Sequence, residues 1–242
     1  MNLVKQTRST YTLYLPEKLN PETLDELQQI WSRIDFEAVR FLILRGNAEA
    51  FCLGMDLNWV AQEFGDDFQA EVEPFISFLK SLQSASVITI AVIEGAAVGG
   101  GVGIAAACDC VLASTQSTFR LTEGMLGLIP GIILSPLLSR LSVQQIKQMV
   151  FAAQEYGAAD ALHLGLVDRI CKSEDLGNSL QAITRLLKHC KKQSVQDLKS
   201  ILSEAPRMEP NRLYESGASL LGKRLAQPAT RERLENLIGF YK

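Results

Sequence analysis

With 242 residues, 47% of them apolar and 21% charged, the chain is long enough to bury a large core and too apolar to be disordered, so one large domain is the default. Its 24 lysines and arginines face 27 aspartates and glutamates, and a formal charge of −3 leaves no basic excess with which to hold nucleic acid. Cys52, Cys108, Cys110, Cys171 and Cys190 are odd in number, scattered and accompanied only by His163 and His189, which argues against both a disulfide framework and a zinc site. The stretch Met1 to Thr10 is polar, and the most apolar run, Val87 to Cys108, is interrupted by Glu94 and five glycines, so neither a signal core nor a membrane span is expected. The expectation is a cytoplasmic protein of a reducing compartment.

Tyr11 to Leu15 alternates like a strand and stops at Pro16. Asn20 then stands as an N-cap with Pro21 in the first helical position, and a helix is expected over Pro21 to Ile34. Phe41 to Leu44 and Val87 to Ile93 read as buried strands, the second rich in β-branched residues. Between them, Phe68 to Leu82 has near-helical apolar spacing, with a break or restart expected at Pro74. From Gly95 to Cys108 glycines give way to alanines, as a loop gives way to a tightly packed helix, and Asp109 to Ala113 reads as another short strand. Val143 to Ala153 and Ala158 to Leu164 are helical, the latter halted by Gly165. Strands alternating with helices at this spacing argue an α/β domain over residues 1–177. Residues 178–242 lack a strand signal and read as helices over Leu180 to Lys188, Val195 to Leu202, Leu213 to Leu225 and Thr230 to Phe240, which could fold back or cover another subunit.

Two functional readings compete for the glycine-rich segment. Gly101, Gly103 and Ala106 satisfy G-x-G-x-x-A with Glu123 about twenty residues on, as in a dinucleotide-binding unit. Alternatively, Gly99, Gly100 and Gly101 let a backbone amide at a helix start approach a ligand oxygen, which is half of an oxyanion hole. The turn Cys52 to Asp56 is then the obvious source of a second amide. Either segment taken alone could also be a plain tight turn.

The segments Arg45 to Asn47, Phe51 to Asp56, Ile93 to Gly101, Cys108-Asp109, Phe119 to Gly131 and Ala161 to Asp168, in that order, resemble the enoyl-CoA hydratase/isomerase (crotonase) superfamily over about residues 11 to 170. The resemblance implies a spiral of β-β-α turns with a C-terminal helical region that builds trimers, often paired into hexamers. It places the two oxyanion amides on Met55 and Gly100. Of the two glutamates used by the family's hydratases, the first falls on Gly103 and is absent, while the second falls on Glu123. A two-carboxylate hydration of a double bond is then disfavoured. A single carboxylate suffices for moving a proton along an enoyl thioester, and for syn elimination of water from a β-hydroxyacyl thioester. Leu121, Met125, Leu126, Leu128 and Ile129 flank Glu123, and their crowding should raise its pKa.

The pattern from Phe119 to Leu138 looks most like polyketide-associated dehydratases that act on 3-hydroxy-3-methylglutaryl groups borne by an acyl carrier protein. The reading is therefore a lyase that dehydrates a β-hydroxyacyl thioester on CoA or on a carrier protein, with no metal or redox cofactor. A single-glutamate enoyl-CoA isomerase is the alternative, and a non-catalytic subunit that binds acyl thioesters is the second. The lysine with which the family often meets CoA phosphates is replaced by Glu17, leaving Lys18, Lys223 or Lys242 to serve if CoA is the carrier. Arg120 and Thr122 are the nearest groups by sequence for a second substrate carboxylate. Trp59 and Phe64 could form a lid over the acyl chain or pack in the core, and His163 reads as a packing histidine.

Overall fold

The computed structural model describes residues 1–7, 9–62 and 68–240. Strand β1 (Asn2–Thr7) pairs antiparallel with β2 (Thr10–Tyr14). The polar start of the chain gave no strand signal, because an edge strand pairs through its backbone and needs no apolar face. Helix α1 (Pro21–Ser32) opens on a capping box in which Asn20 Oδ1 accepts from Thr23 N–H and Thr23 Oγ1 accepts from Asn20 N–H, both at 2.9 Å. Next come β3 (Phe41–Arg45), β4 (Ala50–Cys52), α2 (Leu57–Gln62) and α3 (Phe68–Ser84). Contrary to expectation, α3 runs unbroken through Pro74. Proline there removes one backbone bond, but Val72, Phe75, Phe78, Leu79 and Leu82 form a buried stripe that holds both halves on one axis.

Strand β5 (Ile88–Ile93), buried throughout, leads through β6 (Ala96–Val98) into α4 (Gly100–Ala107), and β7 (Cys110–Ser114) is followed by β8 (Thr118–Arg120). Beyond lie α5 (Leu134–Leu138), α6 (Val143–Ala152), β9 (Tyr156–Gly157), α7 (Ala158–Leu164), β10 (Arg169–Cys171) and α8 (Leu176–Leu187). Among the described residues one sheet has the order β1-β2-β3-β5-β7-β10, parallel after the first pair. A second has the order β4-β6-β8-β9, parallel except at β9. Successive turns of chain thus give one strand to each sheet: β3 then β4, β5 then β6, β7 then β8. The outcome is the α/β spiral the family resemblance implied. Ser114 and Ser117 brace its third turn, donating to the Glu94 and Ile93 carbonyls at 2.9 Å each.

The chain divides into two compact units, Met1–Lys192 and Gln193–Lys242. Helix α8, which composition groups with the tail, is part of the first, where Leu176 and Ile183 are buried. In the second unit, α9 (Lys192–Glu204), α10 (Pro210–Leu225) and α11 (Pro228–Phe240) follow one another, and the Arg224 guanidinium of α10 forks onto both oxygens of Asp197 in α9. Among the described residues no helix is long and apolar enough to cross a membrane.

Helix α4 is the element on which the site depends. It is apolar on every side and buried from Gly101 to Ala107, as a helix enclosed in a core must be. Its C-terminal end is clamped by Arg140, which donates to the Cys108 carbonyl at 2.8 Å and the Ala106 carbonyl at 3.3 Å while pairing with Asp168 at 3.1 Å. Its N-terminal turn lies so close to β4 that a methyl on Gly101 would sit 1.9 Å from the Cys52 carbonyl oxygen. Gly101→Ala is therefore expected to destabilise the first unit by about 3 kcal/mol or more, since backbone would have to move. An unchanged urea midpoint would contradict this placement of α4.

Candidate active site

Strands β4 and β6 are parallel neighbours, so the turns that leave them emerge side by side. Gly54 has φ +78° and Gly99 has φ +50°, conformations that side chains disfavour. A methyl on Gly54 would stand 2.9 Å from the Gly100 amide nitrogen, so the turns touch because Gly54 has no side chain. Leu19 holds the first turn through an isolated bridge: its N–H donates to the Gly54 carbonyl and its own carbonyl accepts from Asp56 N–H, both at 2.8 Å. The alternation of an extended segment turns the Met55 N–H away from Leu19. Gly100 is the first residue of α4, and its N–H belongs to the first turn, which has no intrahelical acceptor.

Glu123 opens a short 3-10 turn, Glu123–Leu126, directly after β8. The turn can settle on α6 because Gly124 has no side chain; a methyl there would lie 2.6 Å from the Val150 carbonyl oxygen. This seat directs the carboxylate to the second glycine turn, with Oε1 3.2 Å from where a Gly99 methyl would be. Oε2 is buried and has no hydrogen-bond partner among the described residues. Burial pushes the Glu123 pKa up, and the backbone amides of Glu123 and Thr122 offset part of that rise.

Met55, Gly100 and Glu123, the three site residues singled out in the sequence, line one cavity of about 770 Å³. Leu53, Phe75, Val98, Ile132 and Ile133 form much of its wall. Of the five apolar neighbours expected to crowd Glu123, only Leu121 is buried. Met125, Leu126, Leu128 and Ile129 are 65, 50, 50 and 76% exposed and stand at the cavity's edge, so the carboxylate is desolvated from beneath rather than from all sides. Arg120 and Thr122 also line the cavity. Trp59 instead stacks on Phe68, with ring centroids 6.1 Å apart, and Phe68, like Phe75, lines the cavity. Phe64 and Lys242 lie outside the described residues. His163 is exposed in the last turn of α7 rather than packed, and Glu17 and Lys18 are both exposed beside the Leu53 to Asp56 turn, where the Glu17 carbonyl accepts from Leu53 N–H at 2.7 Å. Cys52 stands behind the first turn, but complete burial pushes its thiol up to about 12 and leaves no thiolate to compete with Glu123. Among the described residues no cluster of three or more His, Cys, Asp or Glu is gathered for a metal ion.

The enoyl-CoA hydratase/isomerase family model matches residues 12–240. The chain belongs to that family. It is 27% identical over 170 residues to the bacillaene synthase dehydratase of Bacillus subtilis, covering 68% of this chain and 66% of that protein. It is 32% identical over 219 residues to a mitochondrial enoyl-CoA hydratase domain-containing protein 2 of Bos taurus, covering 84% and 69%. The fold matches the crystal structure of an enoyl-CoA hydratase/isomerase from Marinobacter aquaeolei with a TM-score of 0.87 at 24% identity, over 98% of this chain and 96% of that one.

Within this enoyl-CoA hydratase/isomerase chain, Gly103, where the first glutamate of the family's hydratases would fall, faces no empty space. A methyl there would lie 2.1 Å from Ile133 Cγ2 and 2.6 Å from Ile133 Cβ. Ile133 thus fills the volume that a side chain at position 103 would need. The dinucleotide reading of the same segment fails on the same ground, because the faces of Gly101 and Gly103 that would admit a pyrophosphate are filled by Cys52 and Ile133. Sequence reasoning named Gly103 but missed Ile133, thirty residues away, since nothing local marks which side chain enters a glycine's vacant volume.

The direction of the Glu123 shift fixes a pH dependence. A carboxyl held above its ordinary range keeps its proton better in the folded chain than in the unfolded one, so the stability it contributes is complete below the unfolded value of about 4.3 and is lost as pH rises through the folded value. Glu123→Gln, neutral throughout, is expected to exceed the wild type in stability at about pH 7.5 and to match it below about pH 4, as read by urea denaturation. A variant less stable than wild type at neutral pH would contradict the desolvation of the Glu123 carboxylate.

Proposed function

We propose that this family member is a lyase that removes water from a β-hydroxyacyl thioester, using Glu123 as its one acid/base group and the Met55 and Gly100 amides as an oxyanion hole. The observation that carries the reading is the half-buried Glu123 carboxylate facing the second of two adjacent glycine turns, with Ile133 filling the space a side chain at position 103 would need. In the forward direction Glu123 takes the α proton, and the electron pair moves into the thioester carbonyl, whose oxygen gathers charge between the two amides. The pair then returns to form the α,β double bond as the β C–O bond breaks, and Glu123 gives its proton to the departing hydroxide. Enoyl thioester and water leave, and Glu123 is again a carboxylate. A raised pKa suits both halves of this exchange. Each oxyanion donor is worth about 3 to 4 kcal/mol of barrier in comparable sites.

The bacillaene synthase dehydratase among its relatives supports a carrier-bound acyl group of the 3-hydroxy-3-methylglutaryl kind, and Glu17 in place of a phosphate-binding lysine agrees with a thioester that lacks the CoA nucleotide. A reducing, cytoplasmic setting belongs to the same proposal. So does a homotrimer or hexamer assembled through the C-terminal helices, whose Leu198, Leu202, Tyr214 and Leu221 are exposed apolar side chains in need of cover.

Presented with 3-hydroxy-3-methylglutaryl carrier protein, the chain is expected to release one water by mass, and with a 3-enoyl-CoA to leave the double bond in place. The opposite pattern would assign it to the isomerases. Glu123→Gln should lower turnover by about 10²- to 10⁴-fold while the assembly keeps its mass, and undiminished turnover would take Glu123 out of the mechanism or favour a catalytically silent, acyl-binding subunit. Replacing Leu198 and Leu202, one turn apart on α9, with aspartate should lower the sedimenting mass to that of the single chain; an unchanged mass would remove that helix from the interface.

A further inference from the structure

Arg120 is the one cationic side chain that lines the cavity among the described residues. Its backbone is fixed beside the second glycine turn, since the Arg120 carbonyl accepts from Gly99 N–H at 2.9 Å and Arg120 pairs with Val98 across β8 and β6. Its side chain is held as well: Nε donates to the Ala153 carbonyl at 2.7 Å, and Nη2 lies 3.4 Å from Met125 Sδ. Of the five N–H donors on a guanidinium, those contacts use two, and no carboxylate among the described residues forms an ion pair with the rest. Nor, among the described residues, does Arg120 hydrogen-bond Glu123; its side chain is engaged by Ala153 and Met125. A half-buried, anchored guanidinium without an ion pair among the described residues, in a largely apolar cavity, presents a fork shaped for a carboxylate.

We propose that Arg120 reads a free carboxylate at the far end of the acyl group, so that the substrate is a short dicarboxylic acyl thioester of glutaryl class. The assignment rests on the acyl-thioester reading of the cavity given above. It makes Arg120 a specificity-determining residue that binds the end of the substrate away from the reacting carbons. A monocarboxylic acyl chain would leave the guanidinium unanswered inside the cavity, and a dicarboxylic one without Arg120 would bury its charge among leucines and isoleucines. The competing structural role is that Arg120 merely caps the C-terminus of α6 through Ala153; that role would govern stability and leave ligand preference untouched.

The test is equilibrium binding of the full chain to the unreactive thioester 3,3-dimethylglutaryl-pantetheine and to its methyl ester, which has the same shape without the charge. The wild type is expected to prefer the acid by about tenfold to a hundredfold, the range of one or two charged hydrogen bonds. In Arg120→Met the two affinities should converge to within about threefold, and Arg120→Lys, with charge but no fork, should fall between. Equal binding of acid and ester by the wild type, or an acid preference that survives in Arg120→Met, overturns the proposal; the first of these needs no variant to fold. Acid preference without water loss from the 3-hydroxy analogue would refute the dehydration and leave the Arg120 assignment standing, whereas equal dehydration of 3-hydroxy-3-methylglutaryl-pantetheine and its methyl ester would do the reverse.

Discussion

Two chain segments approach each other here without any side chain between them, and the rest of the site is arranged around that contact. Parallel pairing of β4 with β6 sends Gly54 and Gly99 out of the second sheet next to each other, both with positive φ. Because Gly54 has no Cβ, the backbone that carries Met55 can lie against the backbone that carries Gly100. Main-chain donors placed this way are held by the sheet and by α4, so they are already aimed before any charge develops on a ligand oxygen. Such preorganisation distinguishes an oxyanion hole from a pair of solvated amides. The clamp of Arg140 on the far end of α4 serves the same end, because a helix free to slide along its axis would carry Gly100 with it.

The parts of the fold legible in the sequence are those whose signals are local or periodic. Asn20 and Pro21 announce α1, Gly165 ends α7, and the β-branched run at Ile88 to Ile93 marks a central parallel strand. The second sheet is not legible in this way. Its strands β4, β6 and β8 have three residues each, too short for any alternation, and they exist because each follows a longer strand around the same turn of the spiral. Pro74 misleads for the opposite reason: a local rule predicts a break, and the buried stripe of α3 overrides it. Met55, Gly100 and Glu123 were singled out through family resemblance, since a glycine turn and a glutamate carry no chemistry in isolation. Arg120 stood out only as a neighbour in sequence, and its anchoring to Ala153, thirty-three residues on, could not have been read from the chain.

The electrostatics of the cavity follow from keeping unlike charges apart. In the proposed mechanism one carboxylate takes and returns a proton and so needs a raised pKa, and burial supplies that rise at Glu123. An arginine close enough to pair with Glu123 would favour the ionised form and abolish that advantage. Arg120 lines the same cavity, yet Ala153 and Met125 hold its guanidinium, and the Glu123 shift follows burial. Ile133 completes the arrangement by filling the space over Gly103, so no second acid can stand at that position. Removing that isoleucine would open room beside α4 but add no base, whereas a glutamate at position 103 would collide with Ile133 as the chain now stands. The two positions are therefore coupled: any side chain at position 103 requires a change at Ile133, so under the proposed mechanism a second acid could be added only by altering both.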